Sequence, residues 1–342
     1  MQKNRETFID SIKIYVCILV VLGHFFQSMT LSQIIWDNAL LQWFDTTIYY
    51  FHVPLFFVCS GYLYHKYTKT DTLHAWKNNT LKKASVLLIP YFIFSLITWL
   101  MKVMFSSSVN TQADGLLETL FLQPLSPYWY LYTLFIIFLL TPALNSKKAT
   151  LVTLTIALIL KVLTFFVPDC SVFAISSVLQ NEIWFVMGMC LSAFSLTDKL
   201  SSRRSLVTAG ILSVVFVAVS VVLSQKHIAH KSVSFVMGFV AVVATVAMFI
   251  KIQHLSMVQK FTRKLAKYTM PVFLMHTIFA AAARALLLKL GIANATLHIV
   301  LGIVISFAGP IVAAVVMSKV KWLDFPLYPN KYIFNSRGKD NG

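Results

Sequence analysis

Apolar stretches of about twenty residues follow one another along almost the whole chain, and no other feature restricts its fold so severely. A hydrocarbon core about 30 Å thick takes roughly 20 residues of α-helix to cross, since each residue adds about 1.5 Å. Such stretches occupy 9–30, 44–65, 85–104, 128–145, 150–167, 174–195, 206–224, 231–250, 270–289 and 296–318, the sixth interrupted by Gln180, Asn181 and Glu182. Backbone groups inside a bilayer have no water to bond, so segments of this kind cross as helices. The composition agrees: 58% of the 342 residues are apolar and only 12% charged, against about a quarter charged in a soluble domain. The sequence therefore predicts an all-α fold, a polytopic integral membrane bundle of about ten transmembrane helices.

A formal charge of +17, if spread over a soluble surface, would point to nucleic acid. Its placement says otherwise. With the N-terminus inside, 22 of the 29 basic residues fall on the inner side: Lys3 and Arg5, the 66–83 region, Lys147 and Lys148, Lys199 to Arg204, the 251–267 region, and the segment from Lys319 onward. The outer connections hold only Lys226, Lys231 and Lys289, and Lys13, Lys102, Lys161 and Arg284 lie within predicted helices. This is the positive-inside pattern of a bacterial cytoplasmic membrane protein; it predicts cytoplasmic termini and leaves no reason to expect a nucleic-acid partner.

The first apolar segment is too long for a signal peptide and no small-residue cleavage site follows it, so the first helix is expected to remain. Cys17, Cys59, Cys170 and Cys190 have neither paired nor metal-type spacing, and neither a disulfide framework nor a metal site is expected. The non-membrane stretches reach about 20 residues, among them an outer loop near 105–127. Residues 1–318 read as one membrane domain and 319–342 as a short basic cytoplasmic tail.

Polar residues within the membrane are then the informative ones, because each is costly unless paired or hydrated. Lys13 and His24 are 11 residues apart, three helical turns plus roughly 20°, so they share a helix face about 16 Å apart along the axis. Lys13 reads either as a snorkelling interfacial lysine or as a functional cation, and His24 either as a packing histidine or as a reactive imidazole. Asp10 stands three residues before Lys13, placed either to hold its ammonium or to begin the helix in solvent. Glu182 fits an aqueous cavity, a partner for His24, or the outer headgroups. His276 reads first as a packing histidine; Tyr128, Trp129 and Tyr130 read first as an outer aromatic belt.

Several motifs stand in a familiar order. Phe8-Ile9-Asp10-Ser11-Ile12-Lys13 followed by ten residues and His24 resembles the opening of the acyltransferase-3 family of membrane acyltransferases. Phe51-His52-Val53-Pro54-Leu55-Phe56-Phe57-Val58-Cys59-Ser60-Gly61-Tyr62 is similar to its second-helix pattern, and Lys82-Lys83 before Leu87-Leu88-Ile89-Pro90-Tyr91 to its basic entry into the third helix. Tyr128-Trp129-Tyr130-Leu131 and Pro271-Val272-Phe273-Leu274-Met275-His276 resemble later landmarks, so the likeness covers nearly the whole chain. Two positions depart: Lys13 stands where arginine is commoner, and the paired-arginine pattern of some members is here Lys82 and Lys83.

The resemblance implies transfer of an acyl group, commonly acetyl, from a cytoplasmic acyl-coenzyme A to a hydroxyl on a lipid-linked or other envelope sugar, such as that of a lipopolysaccharide or exopolysaccharide. It implies no permanently bound cofactor; the thioester is a substrate. On this reading His24, Lys13 and Asp10 form the catalytic group, with His24 as base or as covalent acyl relay. Lys13, Lys82 and Lys83 meet the anionic donor, and Glu182, Trp129, His52, Ser60 and His276 are candidates for the acceptor. Ten helices with buried charges also describe a transporter or flippase of an envelope precursor, although no repeat relates the two halves of the chain.

Overall fold

The computed structural model describes residues 6–68, 72–106, 110–142 and 146–334, and among them all regular structure is helical. In chain order the α-helices are α1 (Thr7–Leu31), α2 (Ala39–Tyr49), α3 (His52–Tyr67), α4 (Leu73–Met104), α5 (Trp129–Leu140), α6 (Lys147–Leu163), α7 (Phe173–Ala193) and α8 (Leu196–Leu200). There follow α9 (Arg203–Gln225), α10 (Lys231–Ile252), α11 (Ser256–Leu265), α12 (Thr269–Lys289), α13 (Ala295–Met317), α14 (Lys321–Asp324) and α15 (Pro329–Ile333). Among the described residues seven helical runs are long and apolar enough to cross a membrane: α1, α4, α7, α9, α10, the continuous Ser256–Lys289 run through α11 and α12, and α13. The remaining three predicted segments coincide with shorter helices, α3 of 16 residues, α5 of 12 and α6 of 17. The chain is a polytopic helical membrane protein. Lys3, Arg5, Lys69, Arg337 and Lys339, which belong to the inner-side charge pattern, lie outside the described residues.

Three expectations are revised. The segment expected as one span at 44–65 is two helices, because the chain leaves helical geometry at Phe51 (φ −136°, ψ −19°). The first of them, α2, is capped by the side chain of Asn38 accepting from the N–H groups of Leu40 and Leu41, and Trp43 Nε1 donates to Ser220 Oγ on α9 (2.9 Å). An unbroken apolar run carries no mark of such a break. Second, part of the outer loop at 105–127 folds back into the bundle: Tyr91 Oη donates to the Leu120 carbonyl (2.8 Å) and Tyr132 Oη to that of Phe121 (3.3 Å). These two carbonyls belong to a single π-helical turn, Glu118–Leu122, held against α4 and α5 by the two tyrosines. Third, the segment after α13, read only as a short basic tail, carries two short helices, Lys321–Asp324 and Pro329–Ile333, as far as it is described. Asp324, buried, accepts from Lys331 Nζ (2.7 Å) and Tyr332 Oη (2.6 Å), and Ser85 Oγ of α4 donates to Asn330 Oδ1 (2.8 Å).

Two helix pairs form the centre. Along α1 and the α11–α12 run, Ser11 meets Thr262 (2.7 Å), Cys17 Sγ approaches the Thr269 carbonyl (3.6 Å) and His24 meets His276. Both residue numbers rise together, so the two helices run in the same direction. The pair α3 and α7 is also parallel, since Gly61 meets Phe185 and four residues on His65 Nδ1 lies 3.0 Å from Ser192 Oγ, and it packs closest: a Cβ at Gly61 would lie 1.8 Å from the Phe185 carbonyl oxygen and one at Gly188 2.0 Å from that of Val58. Between membrane helices, which gain little from hydrophobic burial against each other, such small residues permit the close backbone approach that supplies the attraction. At the periphery, Val207, Ile211 and Val214 form an exposed apolar stripe on α9, and Val300, Val304 and Val312 one on α13; these faces suit hydrocarbon.

Candidate active site

The site is organised by α1. Its apolar residues bury it between α3, α10 and α12, and it ends where Gln33 takes a left-handed conformation (φ 58°). There the Gln33 N–H bonds the Thr30 carbonyl (2.9 Å) and the Ile34 N–H that of Met29 (3.2 Å), the paired closure that satisfies the last carbonyls of a helix. Lys13, His24 and Ser28 therefore sit on one continuous, anchored rod.

His24 is partly buried, and its ring lies 5.4 Å from that of His276 on α12, the planes inclined at 66°. The folded-back loop reaches the same imidazole, with Ser126 Oγ 3.5 Å from His24 Nε2, the outer limit of a hydrogen bond. His52, at the start of α3, lies within electrostatic range of His24. The two flanking histidines are fully buried and fixed by backbone. His276 Nδ1 is 3.0 Å from the carbonyl oxygens of both Val272 and Phe273, and His52 Nδ1 is 2.6 Å from that of Ile48. A carbonyl can only accept, so each Nδ1 carries a hydrogen. His276 Nε2 is buried with no hydrogen-bond partner among the described residues. Of the three, His24 alone is tied to no backbone carbonyl among the described residues and keeps accessible surface, the condition for exchanging a proton with a substrate.

Nearer the inner end, Lys13 is partly buried and forms neither a hydrogen bond nor an ion pair among the described residues. Lys83 of α4 and Cys59 of α3 lie within its electrostatic range. Lys83 points into the bundle, its ammonium 4.3 Å from the Phe138 ring centroid and 5.9 Å from that of Tyr64. Lys82, about 100° further round the helix, is exposed and lies 5.6 Å from the Phe334 ring. The pair is thus divided, one lysine toward Lys13 and one toward the C-terminal segment. Asp10 does not form an ion pair with Lys13; it lines a surface cavity of about 210 Å³ with Thr7, Gln259, Thr262 and Arg263.

The other candidates lie apart from the histidines. Glu182 accepts from Thr141 Oγ1 (3.2 Å) and has no hydrogen bond to His24. Ser60 Oγ pairs with Tyr130 Oη (3.0 Å), which in turn donates to the Phe56 carbonyl (3.2 Å) and ties α3 to α5. Trp129 packs edge-on against Phe173, their centroids 6.1 Å apart. Tyr128 and Tyr130 are buried, and Tyr128 Oη donates to the Leu274 carbonyl (2.9 Å), so these two tyrosines are core residues and not an outer belt. The short α5 begins deep in the bundle, which is why its first residues meet protein and not headgroups. Among the described residues no three His, Cys, Asp or Glu side chains are placed to hold a metal.

A partly buried imidazole backed by a second histidine, on a helix that also carries a cation with no ion partner among the described residues, is the arrangement an acyl transfer would use. The comparison with known families decides it: the model of an acyltransferase domain, acyltransferase-3, matches residues 6–315. The chain belongs to that family. It is a multi-pass helical membrane protein that carries the family's acyltransferase domain. Two curated relatives of the chain, both named nodulation protein NolL, come from Mesorhizobium japonicum and Sinorhizobium fredii. The first is 27% identical over 42% of this chain and 37% of the relative, the second 32% identical over 40% and 36%. The match thus spans little more than a third of the relatives' length. No solved structure matches significantly.

Two residues near the candidate site escaped the sequence reading. Ser126 carries no sequence signal, because only the fold of its loop brings it to His24. Arg284 was visible as a basic residue within a helix, but its neighbour Ser28, 256 positions away, was not.

Proposed function

We propose that this acyltransferase moves an acetyl group from cytoplasmic acetyl-coenzyme A to a hydroxyl of an envelope sugar, lipid-linked or polymeric, in a bacterial cytoplasmic membrane with both termini inside. The observation that carries the reading is the placement of His24: partly accessible, backed by His276, met by the folded-back outer loop, and aligned on α1 with Lys13. Lys13 and Lys83 offer positive charge for the donor's phosphates. The roughly 16 Å from Lys13 to His24 along α1 is a span that an extended pantetheine arm bridges, which delivers the thioester carbonyl to the imidazole from the inner side. The sugar hydroxyl approaches from the outer side, where Ser126 lies. His24 accepts the hydroxyl proton as the oxygen attacks the carbonyl, and the coenzyme A thiolate leaves toward the cytoplasm. A relay, with His24 first acylated on nitrogen, uses the same geometry.

The test is purified protein in lipid vesicles with radiolabelled acetyl-coenzyme A and envelope-sugar acceptors. Free coenzyme A and a labelled sugar are expected from wild type and neither from His24→Ala. Label held on wild-type protein without acceptor, and absent from the variant, identifies the relay. No thioester consumption with any sugar acceptor, together with movement of such a sugar across the vesicle membrane, replaces the proposal with transport.

A further inference from the structure

One turn outward of His24, a second charged group is buried. Arg284 on α12 is only 6% exposed, and its Nη1 donates to Ser28 on α1, to the carbonyl oxygen (3.3 Å) and to Oγ in a shorter contact. Ser28 follows His24 by four residues, so it shares a helix face with the imidazole about 6 Å further along the axis. Asn110 of the outer loop converges on the same serine, its Nδ2 donating to the Ser28 carbonyl (2.9 Å) and lying 3.3 Å from Oγ. No carboxylate among the described residues forms an ion pair with Arg284, and its Nε and Nη2 make no hydrogen bond there.

A lone guanidinium in a membrane protein is costly, and a clamp between α1 and α12 does not require it, since a neutral amide would donate to Ser28 equally well. What arginine adds is a fixed charge and a planar fork of donors that matches an oxyanion in two-point fashion. Here the donors left over are those a bound anion would use, and every side chain converging on Ser28 is itself a donor. We infer that Arg284 recognises an anionic oxygen group on the sugar acceptor, a phosphate or a carboxylate, and holds it one helical turn outward of His24 so that the hydroxyl to be acylated meets the imidazole. The inference rests on the acyl-transfer reading and deepens it by naming the acceptor's charge. Arg284 is a substrate-binding residue under it, distinct from the donor cations Lys13 and Lys83 at the inner end.

The experiment compares matched acceptors in vesicles. A hexose and its uronate test the carboxylate arm; lipid-linked sugars with and without a diphosphate test the phosphate arm. In wild type the kcat/KM for the anionic member of at least one pair is expected to exceed that of the neutral member by about tenfold or more, the scale of a charge-assisted hydrogen bond. Arg284→Gln, which keeps a donor for Ser28, should bring that ratio toward one through acceptor KM while leaving the KM for acetyl-coenzyme A unchanged; Arg284→Lys should keep part of it. Equal losses for both members of each pair would make Arg284 a structural clamp and overturn the inference, as would a wild-type ratio near one in both arms. A direct reading needs neither turnover nor a folded variant. Inorganic diphosphate or glucuronate should raise the thermal stability of purified wild type, with reversal by Arg284→Gln where that variant folds, and stabilisation by neither anion counts against the site. Absence of any acyl transfer by wild type sinks the acyltransferase mechanism alone, because anion binding is read separately.

Discussion

At the scale of single residues, the three histidines are expected to respond differently to substitution. His24→Ala removes a partly exposed ring that holds no backbone group, so the protein should fold and insert while acyl transfer falls by about a hundredfold or more. Measuring turnover beside detergent-extracted yield checks both halves, and an active His24→Ala protein would remove His24 from the chemistry. His276→Phe keeps the aromatic volume beside His24 and loses only the bond to its own helix, so turnover should fall to a level between wild type and His24→Ala with donor KM unchanged. For Lys13, Ala should raise the KM for acetyl-coenzyme A, whereas Arg, which supplies the same charge, should retain most activity. A Lys13→Ala protein with wild-type donor KM and wild-type turnover would identify the residue as a snorkelling anchor.

Among elements, the tightest joint is that between α3 and α7. Because a methyl group at Gly61 or Gly188 would meet backbone oxygen at 1.8 or 2.0 Å, Gly61→Ala and Gly188→Ala must push the helices apart, and each should cost about 1–3 kcal/mol, as overpacking does elsewhere. Gly210 on α9 has nothing within 4 Å of an added Cβ, so Gly210→Ala should leave the melting temperature in detergent unchanged or slightly raised. Equal behaviour of the three variants would mean that α3 and α7 do not approach as closely as described. The same joint positions the candidate site, since α3 begins at His52, within electrostatic range of His24, and a shift of α3 against α7 displaces that helix.

For the whole molecule the decisive property is orientation. In a background without the four native cysteines, a cysteine at Gly115 in the outer loop and one at Ser202 between α8 and α9, both exposed positions, should react oppositely with an impermeant thiol reagent applied to intact cells. Gly115 should label from outside and Ser202 only after permeabilisation; equal labelling from outside would reject the orientation. The parallel pairs α1 with α12 and α3 with α7 fit the span order, because first and ninth, and second and sixth, crossings run in the same direction whichever side holds the termini, so the labelling alone decides the orientation.

The sequence alone determined that this chain lives in a bilayer as a bundle of apolar helices, with its basic residues clustered in alternate connections. These follow from solvation: apolar length and charge placement are local properties, and each segment's cost in hydrocarbon is decided by its own residues. The face shared by Lys13 and His24 was legible for the same reason, since helical geometry is fixed by spacing. The break at Phe51, the inward fold of the loop at 116–128, and the burial of Tyr128 and Tyr130 were not, because hydropathy does not record which neighbour satisfies a backbone group or covers a ring. Contacts between distant positions, His24 with His276 and Ser126 and Ser28 with Arg284, came from the tertiary structure only. Such pairs join segments up to 256 residues apart, and which helix faces meet is decided by packing of the whole bundle, a property that no stretch of sequence carries by itself.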